Sequence, residues 1–141
     1  MQRTKLYVAT CLLIALAMGA GGCAAKPAGL SDQQVIAVTQ NALQALDAND
    51  YEAFTADFSD QMGAAFSQAQ FDSLRNMLQE ASGNFVSAGA LSLSNSQGFA
   101  VYKISCEYAR ENVVVKVIFK IGGNQVEGLY LDSSNLRKVS Q

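Results

Sequence analysis

The sequence predicts an α+β domain, with three N-terminal helices packed in a curved, four-stranded antiparallel sheet. Three observations predict it. Apolar residues recur with helical spacing through residues 31–80. The period drops to two from residue 85. The later segments are separated by short turns rich in glycine and asparagine. Helices grouped on one side of an antiparallel sheet make an α+β architecture.

The first helix begins at Ser31-Asp32-Gln33-Gln34, which has the form of a capping box, with Ser31 as N-cap and Gln34 reaching back. Asp32 suits the positive end of the helix dipole. Val35, Val38, Ala42 and Leu46 form one stripe, widened by Ile36, Thr39 and Leu43, so the helix runs from about 31 to 47. Asp47-Ala48-Asn49-Asp50 breaks it, and Asp50 caps a short second helix with Tyr51, Ala53, Phe54 and Phe58 facing inward. Residues 59–66 read as a looser link around Gly63. Ser67 caps a third helix over about 68–80, whose Phe71, Leu74, Met77 and Leu78 share one face. Gly83 stands where a glycine ends a helix.

Residues 85–93 form a weaker strand, interrupted by Gly89, and Asn95–Gly98 is a turn. In 99–109, Tyr102, Ile104, Cys106 and Tyr108 face one side, and Lys103, Ser105 and Glu107 the other. In 113–121, Val113, Val115, Val117, Phe119 and Ile121 share a face. Gly122-Gly123-Asn124 is a hairpin signal, and 125–131 is the last strand. Residues 134–141 read as a polar tail.

The start of the chain has a different character. Arg3 and Lys5 precede an uncharged apolar run, residues 7–18, followed by Gly19–Gly22 and Cys23. This is the order of a secretory signal peptide. The run is too short for a spanning helix, which takes ~20 residues. Ala20-Gly21-Gly22-Cys23 resembles the lipobox of prokaryotic lipoproteins, with Ala20 in place of the usual leucine. The resemblance implies acylation of Cys23 and cleavage before it, so residues 1–22 form a lipoprotein signal peptide. Residues 23–30 follow as a lipidated cysteine and tether, residues 31–133 as the folded domain. Two acyl chains anchor a protein stably. The protein is then expected on the outer face of the cytoplasmic membrane. Ala24, which is not an aspartate, favours the outer membrane if the cell has one.

Composition narrows the function. Removing residues 1–22 takes away Arg3 and Lys5 and leaves 8 basic against 12 acidic residues. An acidic chain does not suit nucleic acid, where basic patches supply most of the affinity. With Cys11 in the signal and Cys23 acylated, Cys106 is left without a partner, which suits packing better than a disulfide framework. The chain has no histidine to activate a nucleophile or ligate a metal. Asp47, Asp50 and Glu52 lack the spacing of a calcium loop and read as helix end and cap. No catalytic residue, metal or cofactor is assigned.

The order of helices and strands resembles the nuclear-transport-factor-2-like, or cystatin-like, cone, in which the first helix lies in the hollow of the sheet. Two stretches resemble the domain-of-unknown-function family 3887. They are ALDANDYEAFTADFSDQM (45–62) and VVVKVIFKIGGNQVEGLYLDS (113–133), the latter through Val126, Gly128, Leu129 and Tyr130. The resemblance implies a small exported or lipid-anchored domain and carries no activity with it.

Within such a cone, Tyr102, Tyr108 and Tyr130 are the candidate pocket residues, since a phenol can bury its ring and keep its hydroxyl wet. Asp57 and Glu107 are the acids an enzyme would need, but both read as solvated. The reading favoured by the sequence is a non-catalytic module binding a small apolar ligand or an envelope protein. The alternatives are a small enzyme using a carboxylate and tyrosine, and an accessory subunit of an envelope complex. An apolar patch on the open sheet face would also allow a homodimer.

Overall fold

The computed structural model describes Ala25 and residues 27–141. The signal peptide and Cys23 lie outside the described residues. Among those residues the order is α1 (Asp32–Asp47), α2 (Tyr51–Thr55), α3 (Asp60–Ala65), α4 (Gln68–Ala81), β1 (Phe85–Ser96), β2 (Phe99–Tyr108), β3 (Asn112–Lys120), β4 (Val126–Asp132) and α5 (Ser134–Val139). The strands form one antiparallel sheet in the order β1-β2-β3-β4. The α+β class and the meander are as expected.

Two segments read as irregular are helical. Residues 59–66 contain α3, started by Ser59, whose side chain accepts from the Met62 amide. Packing does not require Gly63 there, since no neighbouring atom lies within 4 Å of the place of its Cβ. The polar tail contains α5, capped by Ser133, whose hydroxyl accepts from the Leu136 amide, with Leu136 buried. The helices therefore number five among the described residues, not three.

The α1 capping box is present in full, with Ser31 and Gln34 exchanging hydrogen bonds. The buried stripe centres on Val35, Thr39, Ala42, Leu43, Ala45 and Leu46, while Val38 and Ile36 are only half-buried. Thr39 is accommodated because its hydroxyl donates to the Val35 carbonyl. Asn49 ends the helix in the left-handed region, at φ 60°. Behind it Phe54 and Phe58 face inward, whereas Ala53 is exposed. Phe54 stacks at centroid distances of 5.1 Å on Phe58, 5.4 Å on Phe66 and 5.1 Å on Phe71. This aromatic cluster joins α2, α3 and α4.

The sheet follows the period of two closely. Ala100, Tyr102, Ile104, Cys106 and Tyr108 are buried, as are Val113, Val115, Val117 and Phe119, while Ile121 lies past the strand end and is 38% exposed. β1 is longer than expected and carries register shifts between Phe85 and Ser87 and between Ala88 and Leu91. Gly89 lies in the second of these, where an added Cβ would stand 3.0 Å from the Ser105 carbonyl.

The two ends of the sheet are closed differently. At one end the β2–β3 turn grips the helices. Arg110 donates to the last carbonyls of α4, at Gln79 and Glu80. Glu111 Oε1 accepts from Ser82 and Ser133, both at 2.6 Å, and Oε2 accepts from the Asn135 amide. At the other end the segment expected to be a free tether is bound. Pro27 accepts from the Gly122 amide at 3.1 Å, and the Gly29 amide donates to Gly123 at 2.6 Å. Ala28 is buried between them. The domain therefore extends on both sides of 31–133.

Desolvation pushes the Glu111 carboxyl up, but hydrogen bonds from Ser133, Ser82 and the Asn135 amide, with the charge of Lys138, bring it below the usual glutamate range. A carboxylate with a lowered folded pKa stabilises the fold above its unfolded value, about 4.3, and loses that contribution as pH falls through the folded value. Glu111→Ala should lower the unfolding free energy by about 1–3 kcal/mol at neutral pH, since two buried hydroxyls lose their acceptor. Glu111→Gln should have a higher urea sensitivity than the parent at pH 7. That gap should narrow as the pH falls toward 3, where the parent carboxylate is itself protonated.

Candidate functional site

An apolar depression lies between α4, β4 and α5. On α4, Phe71 and Leu78 point into the core, while Leu74 and Met77, half-buried on the same side of the helix, line the depression. On β4, Leu129 and Leu131 are paired with Val117 and Val115 and so share the core-facing side of the sheet. α5 closes the third side with Leu136, and Phe66 closes one end. The groove has a volume of about 460 Å³, in the range of small-ligand sites. Its rim is polar, with Gln70, Ser73 and Ser140, and with Asp132 held by a two-pronged contact from Arg137.

A second hollow, of about 440 Å³, adjoins it and is lined by Met62, Phe66, Phe99, Gly128, Leu129 and Tyr130 among others. The two share Phe66, Leu129 and Tyr130. β4 is the last strand in the order, and among the described residues its free edge is bridged at its start. There Val126 exchanges backbone hydrogen bonds with Asp57 and Ser59, and Glu127 accepts from the Ser59 hydroxyl while pairing with Lys120 at 3.3 Å. The first hollow lies further along the strand, at Leu129–Asp132, while the second reaches back to Glu127. Tyr130, 61% exposed, stands between them. Its ring lies over Gly128, where an added Cβ would come within 3.3 Å of Tyr130 Cε2 and 3.2 Å of Ile118 Cδ1.

The three tyrosines expected to share a pocket are not brought together. Tyr102 and Tyr108 are fully buried on β2, and Tyr130 is on the surface of β4. The period of two sends both β2 phenols into the packed interior. Tyr102 stacks edge-on against Phe119, and its hydroxyl accepts from the Ala28 amide at 2.9 Å. Tyr108 packs edge-on against Phe85, and its hydroxyl has no hydrogen-bond partner among the described residues. Of the three, Tyr130 alone lines the groove.

The acids are also dispersed. Glu107 is exposed on the outer face and accepts from Ser87, and Asp57 is exposed beyond α2. Asp47 has the feature a proton-transfer group would need, a carboxyl raised above its ordinary value by desolvation, against the Phe85 amide, Arg75 and Gln79. Both its oxygens are nonetheless occupied, by the Phe85 amide at 2.7 Å and the Gln79 amide at 3.1 Å. Burial pushes the Cys106 thiol up to about 11, which keeps it protonated and inert at neutral pH. Among the described residues no three acidic or thiol side chains are grouped so as to hold a metal ion.

The sequence did not lead to this groove, because its walls come from α4, β4 and a helix read as a tail. One signal was present, a serine at 133 followed by Leu136 and by Arg137-Lys138, the pattern of a capped turn with cations at its C-terminal end.

Fold and groove together define a small α+β domain with adjoining open apolar hollows beside its last strand. The chain belongs to the family described as "Protein of unknown function (DUF3887)", whose model matches residues 39–129. No curated protein matches it. Among solved structures it is similar to a protein from Ruminococcus gnavus ATCC 29149 determined by NMR. The TM-score is 0.60 at 14% identity, over 75% of this chain and 95% of that one, a likeness of fold.

The two buried tyrosines should respond oppositely to loss of the hydroxyl. Tyr102→Phe removes the acceptor of a buried amide and should destabilise by about 1–3 kcal/mol. Tyr108→Phe removes an unpartnered buried hydroxyl and should leave stability unchanged or raise it by about 1 kcal/mol. Urea unfolding of the two variants beside the parent measures both.

Proposed function

We propose that this is a lipid-anchored, extracytoplasmic and non-catalytic binding module whose site is the groove between α4, β4 and α5. The observation that carries the reading is the groove's lining. Phe66, Leu74, Met77, Leu129, Leu131 and Leu136 present an apolar surface that the fold leaves open. Such a surface suits an apolar ligand or the apolar side chains of an envelope protein. The one carboxylate on its rim, Asp132, is neutralised by Arg137, which supports binding over proton transfer.

Anchoring rests on the order of charge, apolar run, small residues and Cys23 at the start of the sequence. No helix among the described residues is long and apolar enough to cross a membrane. An anchor at Cys23 would hold the chain at a membrane. The outer sheet face is less suited to self-association. Lys103 lies directly opposite Lys116 across β2 and β3, and a twofold contact there would bring like charges together.

The first test is metabolic labelling with a fatty acid. The parent chain should be labelled and sediment with membranes, and Cys23→Ser should be unlabelled and released. An unlabelled parent would remove the anchor. The second is a thermal-shift series on a chain starting at Cys23, with fatty acids, sterol-like compounds, apolar peptides and envelope sugars. A ligand present at 100 times its Kd should stabilise by about 2.7 kcal/mol, raising Tm by several degrees. Leu129→Asp should abolish the shift while keeping the helical and strand signal. A shift that survives Leu129→Asp would place binding elsewhere.

A further inference from the structure

The segment just after the proposed anchor is fastened to one end of the sheet. The Gly122 amide donates to the Pro27 carbonyl, the Gly29 amide to Gly123, and the Ala28 amide to the buried hydroxyl of Tyr102. Gly29 is required by the fit, since an added Cβ would stand 2.5 Å from the Gly122 carbonyl oxygen. The strap is therefore seated by three hydrogen bonds and one close backbone approach, with Ala28 buried beneath it.

Chain length then limits where an anchor can be. Cys23 precedes Pro27 by four residues, which span no more than about 14 Å even when fully extended. The seat is the β3–β4 turn, and the β1–β2 turn lies beside it, where the Ile121 amide donates to the Gly98 carbonyl. The opposite end of the sheet, at Glu111, is about 30 Å away along β3. An anchor at Cys23 is within reach of the first end and out of reach of the second.

We propose that the strap fixes the orientation of the anchored domain. The end formed by residues 97–98 and 121–125 rests on the lipid surface, and the groove beside the far half of β4 is held away from it. The surface of that end fits this contact. Ile121 is an exposed large apolar side chain at the turn, and the stem of Lys120, which pairs with Glu127, leaves its side chain 65% exposed beside it. The groove lies further on, at Leu129–Asp132 and α5. The contact would leave the binding site open to the aqueous side. The proposal rests on the reading of Cys23 as acylated.

The test uses the full chain, processed in a bacterial host and reconstituted in phosphatidylethanolamine–phosphatidylglycerol vesicles that carry nitroxide-labelled lipid. A fluorophore is placed at Asn124→Cys or at Ser134→Cys, both exposed positions, while buried Cys106 stays unlabelled in the native chain. Lipid quenching should be several-fold greater at position 124 than at 134. Gly29→Val, which cannot seat the strap, should reduce that contrast while the circular dichroism spectrum is kept. Tyr102→Phe, which removes one strap bond, should reduce it less. Equal or reversed quenching in a chain that floats with the vesicles overturns the orientation and leaves the anchor standing. A contrast unchanged by Gly29→Val overturns the role of the strap. A chain that does not float with the vesicles overturns the anchor and the orientation together.

Discussion

The Glu111 carboxylate sits where three separated parts of the chain converge. It belongs to the β2–β3 turn, and it accepts from Ser82 at the end of α4 and from Ser133 and the Asn135 amide at the start of α5. Arg110 beside it caps the α4 carbonyls. A six-residue helix has little stability of its own, because nucleation fixes several residues for the first hydrogen bond. α5 exists because its N-terminus is satisfied by Ser133 and held by a charge. Since Leu136 and Arg137 belong to that helix, the third wall of the groove depends on a carboxylate that does not line it.

The other end of the sheet solves a related problem with backbone groups instead of charge. The β3–β4 turn takes Gly122 at positive φ, which leaves its amide free to donate outward, and the strap supplies the acceptor. The same strap satisfies Tyr102, the largest fully buried side chain. A phenol expected to line a pocket thus has a structural use, since its hydroxyl would otherwise be a polar atom without a partner in the core. Tyr108, six residues further along β2 from the strap, shows that alternative.

What was legible in the sequence follows from how local each signal is. The α1 capping box, the break at Asp47–Asp50 and the alternation of β2 and β3 are set by neighbours within a few residues, and all appear in the structure. α5 was obscured because its decisive partner, Glu111, is 22 residues from Ser133 in sequence. The strap was obscured for the same reason, since composition alone makes Pro27-Ala28-Gly29 look like a linker. The pocket expectation failed on a subtler point. Alternation correctly placed Tyr102 and Tyr108 on one face, but it cannot tell an enclosed face from an open one. The open region was determined instead by how far α4 and α5 cover β4.

That region straddles the limits of the family match. Residues 39–129 include Leu74, Met77 and Leu129, while Tyr130, Leu131 and α5 lie beyond it, as does the strap before it. The family's shared frame therefore supplies a sheet edge and one helix wall. The segments outside the match supply the third wall at one end and the link toward Cys23 at the other. Both depend on the same sheet: α5 through the turn at Glu111, the strap through the turn at Gly122. Because β3 connects the two turns directly, the rigid strand fixes the distance between the strap and the groove. A domain built this way holds its groove at a fixed distance from the strap, and the twelve residues that follow the match belong to the groove end of the sheet.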